Sequence, residues 1–145
     1  MFIGQYSCVL KKDNRLSLPI GFCEYLKDGA YLIQGFDRNL LILTTDAFNE
    51  VYRRVTSISI TDPLARLLLR LVIGTTSKLE VDNDKSVQLP PGLMHYANLN
   101  LDAVVVGQGD YFEIWSPELW ARQESFLNDT EANAERFSTL TIATR

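Results

Sequence analysis

Three cations stand close together near the start of the chain: Lys11, Lys12 and Arg15, with Asp13 partly offsetting them. A guanidinium carries a flat fork of N–H donors, so Arg15 suits a pair of phosphate oxygens or the edge of a guanine. Lys11 and Lys12 supply point charges to phosphates, and Asn14 tolerates the left-handed backbone of a tight turn. A polar stretch of this kind is first of all a solvated turn; its surroundings decide whether it grips a polyanion. A second polar stretch holds Asp82, Asp84, Lys85 and Ser86. Its carboxylates should repel phosphate, Lys85 aside. The spacing of Asp82, Asp84 and Ser86 matches the opening of a calcium loop. However, Val87 and Leu93 stand where such a loop needs its glycine and its glutamate.

Little else in the sequence could make or break bonds. The single histidine, His95, lies between Met94 and Tyr96, which predicts half-buried packing. Cys8 and Cys23 are isolated, match no metal spacing and fit buried thiols in a reducing compartment. No nucleophile motif and no glycine-rich phosphate loop occurs. The expectation is therefore a protein without catalytic residues, metal, cofactor or small-molecule substrate. Arg38, Arg53, Arg54, Arg66 and Arg70 read as surface cations, solvated or paired with carboxylates.

Charge and hydropathy limit the partners. The formal charge is −4 over 145 residues, and the sequence pI is about 4.9, whereas nucleic-acid binders usually read basic. The imbalance is local: residues 1–73 carry +2 and residues 74–145 carry −6. The start lacks the basic and apolar regions of a signal peptide. The most apolar run, LLLRLVIG, is short and interrupted by Arg70, so no membrane span is expected.

The two polar turns occupy matching places in a repeat. Laying Arg15–Pro19 (RLSLP) over Ser86–Pro90 (SVQLP) sets an offset of 71. Leu10 then falls on Val81, Phe22 on Leu93 and Tyr25 on Tyr96. After one inserted residue, Gly35 meets Gly107, Leu40 meets Phe112, Ile42 meets Ile114 and Phe48 meets Trp120. Each copy reads as strand, polar turn, strand ending at proline, short helical piece, strand, glycine turn, strand, helix. Proline cannot donate to a ladder, so Pro19 and Pro90 close their strands. AYLIQ with NLLIL, and AVVVG with YFEIW, read as hairpin arms. Thr45 or Asp46 is expected to cap a helix through AFNEVYRRV. Asp62 before Pro63 starts another, which stops at Gly74, and Ser116 before Pro117 repeats that signal. Leu64, Leu67, Leu68 and Leu71 fall on one face of the middle helix. That helix is apolar most of the way round, which calls for a second partner and predicts self-association.

RLSLP, the junction SITDPLARLLLRLVIG and the run from LPPGLMHYANLN through VVVGQGDYFEIWSPELW together resemble the MraZ family, over Met1 to about Phe126. The resemblance implies a mainly β fold with flanking helices. Tandem AbrB-like half-units would interlock as a double-ψ or swapped-hairpin barrel. Residues 1–50 form the first repeat, 51–75 the linking helices, 76–127 the second repeat and 128–145 a polar, fraying tail. It further implies a bacterial, cytoplasmic, nucleoid-associated transcriptional regulator. Such a protein would form a ring and bind double-stranded DNA at promoter repeats of the division and cell-wall gene cluster. The family's contact motif is an Asp, three residues, then an Arg, once per copy. Lys11 and Arg15 hold those places in the first copy, Asp82 and Ser86 in the second, and Asn14 and Lys85 replace the preceding glycines. The expected DNA-binding set is thus Lys11, Lys12, Asn14 and Arg15, with Asp82, Lys85 and Ser86 as the second-repeat candidates. An acidic chain can hold DNA if its cations cluster within a Debye length, roughly 10 Å, and if several subunits align them. The rival readings are an oligomeric protein-interaction module that has lost its DNA and an AbrB-like antitoxin.

Overall fold

Eight strands form one antiparallel sheet that curls into a nearly closed barrel, described for residues 1–141 in a computed structural model. The strands are β1 (Gln5–Lys11), β2 (Arg15–Ser17), β3 (Ala30–Gln34), β4 (Leu40–Thr44), β5 (Ser77–Leu79), β6 (Ser86–Gln88), β7 (Asp102–Gly107) and β8 (Tyr111–Trp115). The helices are α1 (Ile20–Cys23), α2 (Thr45–Thr56), α3 (Pro63–Val72), α4 (Pro91–Tyr96), α5 (Pro117–Leu127) and α6 (Thr130–Phe137). Around the sheet the order is β5-β3-β4-β8-β7-β1-β2-β6.

The order shows why one repeat is not enough. Within a repeat, β1 pairs with β2, β3 with β4, and β7 with β8. The other ladders, β1–β7, β2–β6, β3–β5 and β4–β8, all cross between repeats. The hairpins interleave, which is the swapped-hairpin form of the expected barrel, and most strand edges of either repeat are satisfied only by the other. The sheet's two edges, β5 and β6, converge where Asp82 N–H donates to Ser86 O at 2.9 Å.

Strand composition follows from burial on both faces. Alternate residues point inward and outward along a strand. Ala30 and Leu32, Leu40 and Ile42, Ala103 and Val105, and Phe112 and Ile114 fill the barrel together with Phe22, Leu26, Leu93 and Met94 from the α1 and α4 regions. Their outward neighbours Ile33 and Leu43 lie under α2 and α3, beside Phe48 and Val72. Val106 and Trp115 lie under α5, beside Trp120. Such strands therefore read as near-continuous apolar runs. Phe48 and Trp120, aligned by the repeat, do the same job. Phe48 stacks on Tyr31 with centroids 4.0 Å apart, and Trp120 meets Trp115 at 5.6 Å. Gly107 permits a close crossing: a Cβ there would lie 2.5 Å from the backbone of Phe2 and Ile3.

Several local expectations need correction. The cap of α2 is Thr44, one residue earlier than expected; its hydroxyl accepts from Ala47 N–H at 3.1 Å. Asp62 and Ser116 cap α3 and α5 as read from the sequence, accepting from Leu64 and Leu119 N–H. The leucine face of α3 is not the buried one: Ala65 and Val72 are buried with Leu68 and Leu69 beside them, while Leu64 and Leu67 are 71 % and 60 % exposed. The real stripe runs one residue out of register with the expected one. His95 is exposed rather than half-buried, because Leu93 and Met94 supply the inward face of α4. The segment after Asn128 is not wholly irregular. Asp129 accepts from Ala132 N–H and starts α6, and residues 142–145 lie outside the described residues.

Candidate nucleic-acid interface

The first cationic turn joins β1 to β2. Lys11 closes β1, Lys12–Asn14 form a single 3-10 turn, and Arg15 opens β2 opposite Lys11. The reversal is tight: Asp13 and Asn14 hold φ of +62° and +60°, the region that Asn and Asp visit more readily than other side chains. Lys11, Lys12 and Asp13 are exposed, and Asn14 and Arg15 are half-exposed. The turn is anchored from the other repeat, since Leu89 N–H donates to Asn14 O at 2.9 Å and the Gln88 amide donates to Asp13 O at 3.1 Å.

The second turn is its approximate twofold mate. Leu18 N–H donates to Lys85 O at 2.9 Å, the counterpart of the Leu89–Asn14 bond. Lys85 holds φ of +61°, as Asn14 does. Both places where the family pattern has glycine thus demand a left-handed backbone. Lys85 is exposed and aims its charge outward, whereas Ser86 is 0 % exposed. The Ser86 side chain is therefore enclosed beneath this turn, while Lys85 stands open.

The two turns meet through their retained charges. Arg15 Nη1 donates to Asp82 Oδ2 at 2.8 Å, with both side chains part-exposed. The other oxygen, Asp82 Oδ1, accepts the backbone N–H groups of Asp84 and Ser86, each at 2.9 Å. The Ser86 N–H, then the Asp84 N–H and the Arg15 guanidinium hold the Asp82 carboxyl below the usual carboxylate range. Asp82 is thus a clamped acceptor, already engaged where a calcium reading would need it open. Sequence reasoning treated Arg15 and Asp82 as the surviving halves of two separate motifs. The offset of 71 held the missing signal: Arg15 and Asp82 are complementary, and so is the loss of their counterparts to Ser86 and Lys11.

Four of the other arginines are engaged locally. Arg53 and Arg54 both donate to Glu50, at 2.6 and 2.9 Å. Arg66 donates to Ile60 O at 3.0 Å, and Arg38 lies over the Tyr96 ring at 5.3 Å. A separate polar knot sits on the outer face of β8, where Glu113 accepts from Asn39 Nδ2 at 3.0 Å and Trp115 Nε1 at 3.1 Å. Burial pushes its carboxyl up. Cys8 is buried and its thiol is pushed up to about 11 by desolvation, so it is inert near neutrality. Among the described residues, no helix is long and apolar enough to cross a membrane.

The structure is thus of one class: an interleaved barrel built from a duplicated half-unit, displaying one cationic turn and its acidic mate. Family comparison narrows the class. The family model described as "MraZ protein, putative antitoxin-like" matches twice, at residues 1–71 and 72–140, which fits the duplication. A protein of Herpetosiphon aurantiacus named Transcriptional regulator MraZ is 37% identical, covering 98% of this chain and 100% of its own length. One of Thermomicrobium roseum with the same name is 37% identical over 97% of this chain and 99% of its own. A third, from Mycolicibacterium smegmatis, is 33% identical over 99% and 96%. The chain belongs to the MraZ family of transcriptional regulators.

Proposed function

We propose that this chain is a sequence-specific DNA-binding regulator that occludes or recruits at a promoter without catalysing any reaction. It contacts double-stranded DNA through Lys11, Lys12, Asn14 and Arg15, with Lys85 beside them. The observation that carries this reading is the exposed, rigidly braced β1–β2 turn, which concentrates three cations on an otherwise acidic chain. Its targets are repeated elements ahead of the division and cell-wall genes, and it works in the cytoplasm in association with the nucleoid. Such a turn is too small to hold DNA alone, so the protein acts as a ring-shaped homo-oligomer in which many turns engage together. The exposed Leu64 and Leu67 of α3, with Ile60 68 % exposed beside them, supply apolar surface for that assembly.

The test is a gel shift with the DNA upstream of the chain's own gene, repeated across salt concentrations. Binding should fall steeply with salt, because each neutralised phosphate releases counterions. Arg15→Ala should weaken it without lowering the melting temperature by more than a few degrees. Salt-independent binding, or full binding by the Lys11→Ala/Lys12→Ala/Arg15→Ala variant, would sink the reading. The complete absence of a cation at position 86 favours one rival, the oligomeric interaction module. In that case neither Arg15→Ala nor the Lys11→Ala/Lys12→Ala pair changes DNA binding.

A further inference from the structure

We infer that Asp82 is a positioning residue for Arg15, so that the two repeats build one reading head rather than two, with Arg15 addressing a base edge and the lysines addressing phosphates. This rests on the proposal that the β1–β2 turn contacts DNA. Three observations carry the inference. Asp82 is fixed before it meets Arg15, because two backbone N–H groups hold Oδ1 and leave Oδ2 aimed at Nη1. Among the described residues Arg15 makes that one side-chain hydrogen bond, so Nε and Nη2 keep their donors. The pair remains part-exposed, at 43 % and 31 % of side-chain surface, so the fork can still be reached.

The charge arithmetic then separates the roles. A guanidinium bound to a carboxylate is close to neutral as a unit, and a nearby carboxylate repels phosphate. Arg15 is thereby a poor point charge for the backbone of DNA. It remains a good planar donor for guanine O6 and N7, where bidentate geometry rather than net charge does the discriminating. Lys11, Lys12 and Lys85 are exposed and, among the described residues, form no salt bridge, Glu24 being the carboxylate whose charge Lys85 feels. They supply the sequence-independent grip. An arginine held at one nitrogen has also lost most of its rotamer freedom before binding, which reduces the entropy cost of ordering it on a base.

Four variants of the full-length chain test this: Asp82→Asn, Arg15→Lys, Arg15→Ala and Arg15→Ala/Asp82→Asn. Asp82→Asn keeps an oxygen for the Ser86 and Asp84 N–H groups, so the turn survives, but it presents an amide N–H₂ to Arg15. Binding is read by fluorescence anisotropy on a labelled duplex from upstream of the gene and on a scrambled duplex of equal composition, at several salt concentrations. Positioning predicts that Asp82→Asn cuts the ratio of the two affinities about tenfold while scrambled-duplex binding strengthens and its salt slope steepens by about 1 per engaged subunit. Arg15→Lys keeps the melting temperature and loses the same ratio, because an ammonium cannot form the fork. The double variant discriminates no worse than Arg15→Ala. If Asp82→Asn discriminates as the wild type does while Arg15→Ala does not, Asp82 is merely structural and this inference fails with the DNA-binding reading intact. If Arg15→Ala also discriminates normally, that reading of the turn fails first.

Discussion

Lys85 holds φ at +61° in a turn where only glycine is free of strain. An L-residue there costs roughly 1–2 kcal/mol, and glycine's greater freedom in the unfolded chain returns roughly half of that. Lys85→Gly should therefore stabilise the protein by about 1 kcal/mol, raising the thermal midpoint by about 3 °C, while weakening DNA binding at low salt. A stability gain with unchanged binding would remove Lys85 from the contact set. The lost mirror pair allows a second experiment. Ser86→Arg alone puts a guanidinium into a fully buried position on the side of Lys11, with no acid to meet it, and should cost about 2–4 kcal/mol in urea unfolding. Adding Lys11→Asp restores the complement of the Arg15–Asp82 pair, and a double-mutant cycle should show coupling of about 1 kcal/mol. Additive losses would mean that the approximate symmetry does not extend to these side chains. Acid adds a third check on Asp82. Its folded carboxyl titrates below its unfolded value, so its stabilisation is complete above the unfolded pKa of about 4 and disappears as pH falls through the folded one. The stability gap between wild type and Asp82→Asn should therefore be widest near neutrality and close on acidification.

At the scale of elements, what could be read from the sequence is what local rules control. Period-two alternation, prolines and glycine turns placed the strands, and N-cap signals at Asp62 and Ser116 placed two helix starts that the structure keeps. Thr44 was missed because its residue closes β4 while its hydroxyl already serves α2, and a residue with two jobs carries no single local signature. The buried stripe of α3 was hidden for a different reason. With Leu at 64, 67, 68, 69 and 71, helical periodicity alone cannot choose a stripe, and the barrel chose Ala65, Leu68, Leu69 and Val72. The Arg15–Asp82 bond spans 67 residues and was hidden because pairing across repeats depends on which ladders interleave. Only the alignment of the repeats hinted at it. Interleaving also makes the repeats dependent on each other. A chain of residues 1–75 loses every inter-repeat ladder and leaves β1, β2, β3 and β4 with open edges. It should be unfolded as a monomer, or pair with a second copy of itself in place of the missing repeat. A folded monomer seen by circular dichroism and sedimentation would contradict that dependence.

At the scale of the whole molecule, the difficulty is an acidic chain that is to hold a polyanion. One protomer brings Lys11, Lys12 and a half-neutralised Arg15 to one turn and Lys85 to the adjoining one, too few phosphate contacts for useful affinity at physiological salt. Alignment of several copies changes this, because each later contact forms at the high effective concentration set by the first. On the proposed reading, the molecule's remaining apolar surface is as important to DNA binding as its cations. Leu64 and Leu67 project from α3 into solvent. Replacing both by Asp removes apolar contact and adds mutual repulsion at any interface formed by this face, while burying no charge in the protomer itself. The protomer should keep its circular dichroism spectrum and its melting temperature within about 2 °C, since exposed substitutions away from special features shift stability by about 0.5 kcal/mol or less. Light scattering should report a smaller particle, and affinity for the upstream duplex should fall by roughly a hundredfold even though no cation has been touched. A particle of unchanged size would move the assembly surface elsewhere on the molecule. A monomer that still binds at full strength would show that the four basic side chains suffice, and the acidic remainder of the chain would then need a different account.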